Sequence, residues 1–318
     1  MNSVNDIKVS IVCNAFNHED YIKDALDSFL MQKTNFKFEV LVHDDASTDN
    51  TASIIKEYEE KYPDIIKPIY QTVNQYSQKI PIGDTYQFPR AKGIYIAVCE
   101  GDDFWTDPYK LQKQYDALES HPEIDMCAHA AIQISAQTKE KIGDMTPANE
   151  STVFSVEDII KGGGGFLATN SLMFRKKLME NPPAFRKFLT YDYTLQIYGS
   201  LRGGLLYLKD SMSAYRVMAN GSWTVRVRKN LDQLVNHLQK NCQMLDILNE
   251  ETKFKYQQVI QEVSLKKEFE ILEVKQDYKS QLKRKYKNVL KQKSVKERIK
   301  IRLKAYFPFL SKFKSKGK

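Results

Sequence analysis

Short β-branched apolar runs alternating with segments of helical period constrain the first hundred residues more than any other feature of the chain. Ile7-Lys8-Val9-Ser10-Ile11-Val12-Cys13, Phe38-Glu39-Val40-Leu41-Val42 and Ile65 to Tyr70 each read as a buried strand. Gly93 to Val98 reads as a fourth. Between the first two, Asp20 to Leu30 carries apolar residues at 22, 25, 26, 29 and 30, the spacing of one helical face. After the second, the turn-rich Asp44-Asp45-Ala46-Ser47-Thr48-Asp49-Asn50-Thr51 can cap a helix over Ala52 to Tyr62. Strands and helices alternating this closely predict an α/β fold, a mainly parallel sheet flanked by helices. Such sheets bind ligands beyond the carboxyl ends of their strands, so the residues that follow strands matter most.

Beyond Asp103 the pattern loosens. Pro108 to Glu119 reads as a helix with proline in its first turn, and Ile124 to Ile134 as a strand in the second half of the sheet. The run Gly162-Gly163-Gly164-Gly165 breaks any regular element. A short helix is expected over Asp192 to Leu201 and a strand over Gly204 to Leu208. From Asn230 to Pro308 glycine and proline nearly vanish, which predicts helix throughout. The expected division is therefore a domain over 1–228 and a helical extension over 229–318.

Composition narrows the class. With 42% hydrophobic residues among 318, the chain can bury a sizeable core, which excludes a mainly disordered or collagen-like protein. No apolar run is long enough to span a membrane, and Met1 to Asp6 is too polar for a signal peptide. Cys13, Cys99, Cys127 and Cys242 lie far apart, which argues against a zinc finger or disulfide framework and fits a reducing cytoplasm. The net charge of +8 hides an asymmetry: residues 271–318 carry net +14 and residues 1–270 net −6. A mildly acidic body with a basic tail predicts an anionic partner for the tail alone.

Three acidic groups follow strands or open a helix: Asp44-Asp45, Asp102-Asp103 and Asp192. Carboxylates at strand ends converge over one edge of the sheet. There they can hold a divalent ion, Mg²⁺ or Mn²⁺, whose remaining ligands come from substrate phosphates. Aspartates in such loops also form turns and caps unaided, and both readings stay open at this level. Arg216, in Tyr215-Arg216 with Gly221-Ser222-Trp223 downstream, and Arg90 could neutralise phosphate charge, and a structural arginine at a strand end is the other reading. The glycine run could close over an acceptor or merely connect two elements. The five histidines lack metal-ligand spacing and read as structural or surface residues.

These stretches carry a resemblance. Val9-Ser10-Ile11-Val12-Cys13-Asn14-Ala15-Phe16-Asn17, followed by Phe38 to Thr51, resembles the opening of family 2 glycosyltransferases. Ala91-Lys92-Gly93-Ile94-Tyr95-Ile96-Ala97-Val98-Cys99-Glu100-Gly101-Asp102-Asp103-Phe104-Trp105 resembles the AKGKYIA…EGDDYW segment of bacterial surface-polysaccharide members. Pro108 to Gln114 extends the match, which covers roughly residues 7–225 and leaves the tail aside. The resemblance implies a GT-A fold, Rossmann-like in its nucleotide half. It also implies inverting, metal-dependent transfer from a nucleotide-diphosphate sugar, with a UDP-sugar favoured. The acceptor it implies is a glycan or lipid-linked intermediate of capsule, O-antigen or lipopolysaccharide synthesis. Matched residue by residue, Asn14 meets the nucleotide and Asp45, with Asp44 beside it, reads the base. Asp102 contacts the ribose, Asp103 holds the Mn²⁺ or Mg²⁺, and Asp192 is the base. The pair stands as Gly-Asp-Asp rather than a spaced Asp-X-Asp.

General chemistry agrees with those roles. A departing diphosphate needs its charge neutralised, and an acceptor hydroxyl needs a carboxylate to take its proton. Displacement from the opposite face inverts the anomeric centre without a protein nucleophile. Competing activities are a nucleotidyltransferase of related fold and a non-enzymatic nucleic-acid-binding protein. Against the first, Asn14 to Glu19 lacks the Gly, Lys or Arg of a phosphate loop; against the second, no nucleic-acid-binding module is present. In the tail, Val295, Ile299 and Leu303 share a helical stripe among lysines and arginines, and Phe307, Phe309, Leu310 and Phe313 follow. That mixture predicts association with an anionic membrane, hence a cytoplasmic protein peripheral to the inner face of the cell membrane; a merely solvated basic tail is the alternative, and both readings stay open at this level.

Overall fold

The computed structural model describes residues 7–219 and 230–307. The chain divides into two compact units, Met1–Arg226 and Val227–Lys318.

The first unit is built on strands β1 (Ile7–Ala15), β2 (Lys37–Asp44), β3 (Ile66–Tyr70) and β4 (Tyr95–Val98), with helices α1 (Ile22–Leu30) and α2 (Thr51–Lys61) between them. β1 pairs in parallel with both β2 and β4, and β2 with β3, so four strand ends point the same way. Val9, Ile11 and Cys13 of β1 pack with Val40 and Val42 of β2 and with Ile22, Ala25, Leu26 and Phe29 of α1, the residues whose period marked that helix. After β4 come β5 (Phe104–Trp105), α3 (Lys110–Glu119), β6 (Met126–Ser135), β7 (Lys141–Met145), β8 (Thr152–Phe154) and α4 (Val156–Gly162). Then follow β9 (Met173–Arg175), α5 (Ala184–Phe188), α6 (Asp192–Ser200) and β10 (Leu205–Val217). The ten strands form one sheet in the order β3-β2-β1-β4-β9-β6-β10-β5, with β7 on β6 and β8 on β10.

The α/β expectation is met: a mainly parallel nucleotide-type half joins a second half whose long strands β6 and β10 are also parallel. The join is β9, which runs antiparallel to both β4 and β6. β5, β7, β8 and β9 were not expected, and the strand expected over Gly204 to Leu208 does not end there. Instead β10 continues to Val217 through two register shifts against β6, which absorb the polar residues and restore pairing as far as Val217↔Ser135.

The second unit is helical: α7 (Leu231–Glu251), α8 (Gln257–Val274), α9 (Tyr278–Gln281), α10 (Lys287–Gln292) and α11 (Val295–Tyr306). Continuous helix was expected, yet the chain turns between α7 and α8, where Lys253 and Phe254 take φ of 52° and 61°, and again at Gln276 with φ of 55°. These left-handed residues end helices without the glycine that usually marks such a stop. Phe269, Tyr286 and Ile301 form a buried cluster that ties α11 to α8. No helix among the described residues is long and apolar enough to cross a membrane.

Candidate active site

The ends of β1, β2 and β4 bring two of the three acidic groups, Asp44-Asp45 and Asp102-Asp103, to one edge of the sheet. Gly101 N–H donates to the Asn14 carbonyl at 2.9 Å, and Asp45 N–H to the Ala15 carbonyl at 2.9 Å, so the three strand ends are laced by backbone. Asn14 Nδ2 reaches Glu100 Oε1 at 3.4 Å, and Gln87 Nε2 reaches the Asn14 side-chain oxygen at 3.4 Å. Only glycine fits at 101. A Cβ there would stand 2.9 Å from His18 Nδ1 and 3.0 Å from Ile22 Cδ1, so the bare backbone lets the acidic turn settle against α1.

The two aspartates of that turn have opposite environments. Asp103 is buried: Oδ1 accepts the Arg216 backbone N–H at 2.7 Å, and Oδ2 accepts Asn170 Nδ2 at 3.1 Å. Burial raises its carboxyl well above the usual range, the neighbouring Asp102 raises it further, and the Arg216 N–H opposes both. Asp102 is half-buried, and its carboxylate accepts no hydrogen bond from the described residues. Glu100 belongs to the same cluster and was missed in the sequence. Burial, then the Asp102 charge, push it up to about 8.

Two arginines expected near the nucleotide are turned to other work. Arg90 donates to the carbonyls of Val42 and Lys67 at 3.0 and 2.9 Å and to Gln87 Oε1. Arg216 donates to the Asp102 carbonyl at 2.8 Å, pairs with Asp24, and lies between the rings of Tyr21 and Phe104. Its side chain is 4% exposed, so it braces the acidic turn from behind instead of presenting charge to the cleft. Gly221-Ser222-Trp223 lies outside the described residues.

Asp44 and Asp45 divide similarly. Asp45 accepts the backbone N–H groups of Gln75 and Tyr76 at 2.7 and 3.0 Å, which folds the segment after β3 back over the strand ends. Asp44 is buried; its side chain accepts Ser47 N–H at 3.2 Å, and its Oδ1 has no partner among the described residues. Beside them His43 stacks on Tyr86 at 5.3 Å, and its Nε2 stands 3.1 Å from Gln71 Nε2.

From the other half of the molecule comes Asp192, the first residue of α6. Its Oδ2 accepts the Thr169 hydroxyl at 2.9 Å and its Oδ1 the Tyr193 N–H at 2.7 Å. Burial raises its carboxyl above the usual range, and those two donors oppose the shift. The glycine run lies directly over it: a Cβ on Gly164 would sit 3.5 Å from Asp192 Oδ1. Gly162 ends α4, and Gly163 takes φ of +72°, a conformation that L side chains rarely adopt. Thr169 and Asn170 were not singled out in the sequence. Nothing local marks them, because their partners lie 23 and 67 residues away. Among the described residues, no group of three or more His, Cys, Asp or Glu side chains converges as a metal cage.

An acidic strand-end edge of this kind invites comparison with known proteins. The family model described as Glycosyl transferase family 2 matches residues 10–181. The chain belongs to this family. Among relatives of this family 2 member, Mb1547 of Mycobacterium bovis is 36% identical over 220 residues, covering 68% of this chain and 60% of that protein. The chain thus spans about 60% of that relative's length. The poly(ribitol-phosphate) beta-glucosyltransferase of Bacillus spizizenii is 35% identical over 121 residues, which cover 38% of this chain and 19% of that one. Of solved structures, S. aureus TarS in complex with UDP aligns over 93% of this chain and 86% of its own, with a TM-score of 0.52 and 18% identity. The mannosyltransferase PcManGT from Pyrobaculum calidifontis, in complex with GDP-Man and Mn²⁺, aligns over 95% and 88%, with a TM-score of 0.53 and 16% identity. These two likenesses establish the GT-A fold of the family 2 chain.

Proposed function

We propose that this glycosyltransferase transfers a sugar, with inversion, from a nucleotide-diphosphate donor to a glycan or lipid-linked acceptor in surface-polysaccharide synthesis, with a UDP-sugar favoured. The observation that carries the reading is the meeting of two differently supplied carboxylate sets: Asn14, Asp44, Asp45, Asp102 and Asp103 on the strand ends, and Asp192 across from them. The relative named for glucosyl transfer to poly(ribitol phosphate) supports a cell-envelope acceptor.

Asn14, Asp44 and Asp45 form the nucleotide side, where Asp45 holds the Gln75-Tyr76 segment as a wall for the base. A divalent ion, Mn²⁺ or Mg²⁺, fits the Asp102-Asp103 pair. Asp102 offers a carboxylate with no other partner among the described residues, and each Asp103 oxygen keeps a lone pair beyond the one its donor occupies. One or two carboxylates suffice for such ions when the donor's diphosphate completes the shell. Bound there, the ion would neutralise charge on the departing diphosphate. Asp192 takes the acceptor proton. Thr169 and the Tyr193 N–H fix its orientation, and its raised pKa makes it a better proton acceptor than an ordinary aspartate. The glycine run forms the acceptor-side wall over that carboxylate. The basic C-terminal segment supports action on the cytoplasmic face of the membrane, where lipid-linked acceptors would be met.

Release of nucleoside diphosphate from UDP-glucose, UDP-N-acetylglucosamine and GDP-mannose, each with Mn²⁺ or Mg²⁺, tests the reading. Turnover of a UDP-sugar that stops on chelation is the expected result. No release from any donor under either ion would overturn it.

A further inference from the structure

Helix α11 has two faces whose separation the fold defines. At about 100° per residue, Val295, Tyr306, Ile299 and Leu303 fall within an arc of about 80°. All four are exposed, at 61%, 71%, 51% and 46%. Ile301, nearly opposite the centre of that arc, is 5% exposed and packs with Phe269 and Tyr286. The helix is therefore anchored by one side and presents an apolar stripe on the other. Charges border the stripe symmetrically: Arg302 and Lys296 lie about 60° from its centre on either side, and Arg298 and Lys300 about 100°. Among the described residues, Lys296, Lys300 and Arg302 have no carboxylate within ion-pair distance. Lys304, by contrast, faces inward and donates to the Tyr278 hydroxyl at 2.9 Å. Ser294 and Glu297 cap the helix reciprocally, so its start is fixed without a partner.

We propose that α11 lies flat on an anionic lipid surface, with Val295, Ile299, Leu303 and Tyr306 entering the headgroup–acyl boundary and Lys296, Arg298, Lys300 and Arg302 contacting the headgroups. This deepens the membrane reading above by naming the inserting face. Charge complementarity decides the occupant. A second copy of the stripe would bring four cations against four, whereas an anionic bilayer offers apolar depth beneath negative headgroups, the arrangement interfacial helices use. Tyrosine suits the same boundary, with its ring in the apolar layer and its hydroxyl in water.

The test is co-sedimentation of the full chain with phosphatidylglycerol/phosphatidylcholine vesicles and with pure phosphatidylcholine vesicles, at low and high salt. Truncation from residue 271 is the wrong instrument, because it removes Tyr286 and Ile301 and strips Phe269 of its cover. Val295→Ser/Ile299→Ser/Leu303→Ser alters only exposed side chains. It should weaken binding to the mixed vesicles about tenfold or more and abolish what survives at high salt. Lys296→Gln/Lys300→Gln/Arg302→Gln should weaken binding to the mixed vesicles at low salt, by about fivefold per charge, and leave binding to pure phosphatidylcholine unchanged. Circular dichroism confirms that both variants stay helical, and donor hydrolysis, read separately, reports the catalytic reading independently. The proposal is overturned if the wild-type chain does not bind mixed vesicles, or if the serine variant binds as wild type does. It is also overturned if the stripe proves to hold two copies together, seen as a sedimentation-velocity dimer that the serine variant dissolves without changing lipid binding.

Discussion

The two halves of the sheet furnish the cleft in different ways. On the β1–β4 side, carboxylates stand in short loops and are held by backbone from neighbouring strand ends, as Asp45 is by Gln75 and Tyr76. On the β6–β10 side, side chains arrive from distant segments: Thr169 braces Asp192, and Asn170 and the Arg216 backbone close over Asp103. The first half sets out the acidic groups; the second decides which of them stay open. Asp102 and Asp103, adjacent in sequence, leave that selection as an available carboxylate and a buried one.

The largest effect should come from the second half's own carboxylate. Asp192→Asn keeps the Thr169 and Tyr193 contacts nearly isosteric while removing the proton acceptor. Transfer should fall by roughly 10²–10⁴-fold. Calorimetry with UDP and Mn²⁺ should still show nucleotide binding; lost binding would move Asp192 to the donor side and dissolve the division of labour.

The adjacent aspartates sharpen the contrast next. In Asp103→Asn an amide NH₂ must face a donor, either Arg216 N–H or Asn170 Nδ2, which should cost roughly 1–3 kcal/mol in urea denaturation as well as activity. Asp102→Asn, half-exposed and without a partner among the described residues, should leave the urea midpoint within about 0.5 kcal/mol of wild type. Its effect should appear in the Mn²⁺ concentration needed for half-maximal rate. Equal stability losses would show that the two environments do not differ as described.

A further effect concerns stability alone, at a buried lysine outside the acidic cluster. Lys110 opens α3 with its Nζ 3.7 Å over the Trp105 ring, buried beside Cys99 and Cys127 and with no hydrogen-bond partner among the described residues. Burial lowers it to about 7, opposed by those two thiols. Between that value and the usual value of about 10.4, the unfolded chain holds a proton that the folded chain has lost, so wild-type stability gains with rising pH. Lys110→Met removes this dependence. The variant should therefore exceed wild type in melting temperature most at pH 7 and below, with the gap closing toward pH 10 by up to about 1.4 kcal/mol per pH unit. A gap constant with pH would mean that the amine keeps its proton over Trp105.

Much of this was legible in one dimension. The strands before each acidic loop, the helix face of α1 and the match of Asn14 and the aspartates to a glycosyltransferase pattern depend on residues close in sequence, where period and spacing carry the signal. The availability of each group was not legible. Arg90 and Arg216 follow the same local rules as phosphate-binding arginines, but the carbonyls and the carboxylate that engage them lie 23, 48 and 192 residues away. Thr169 and Asn170 carry no local mark at all, and β10 outran the expected Gly204 to Leu208 because β6 offered pairing beyond it.

By itself the sequence determined the strand–helix alternation of the first half, the helical character of the extension, the family and the charge of the tail, since each follows from nearest neighbours along the chain. Only the tertiary structure decided which of two adjacent aspartates is buried against Asn170 and the Arg216 backbone, which arginines are spent on backbone, and which stripe of α11 turns outward. The physical reason is the same in each case. A side chain's chemistry is set by its own atoms, but its availability is set by burial and hydrogen-bond partners, and those are supplied by whatever distant segment the fold packs against it.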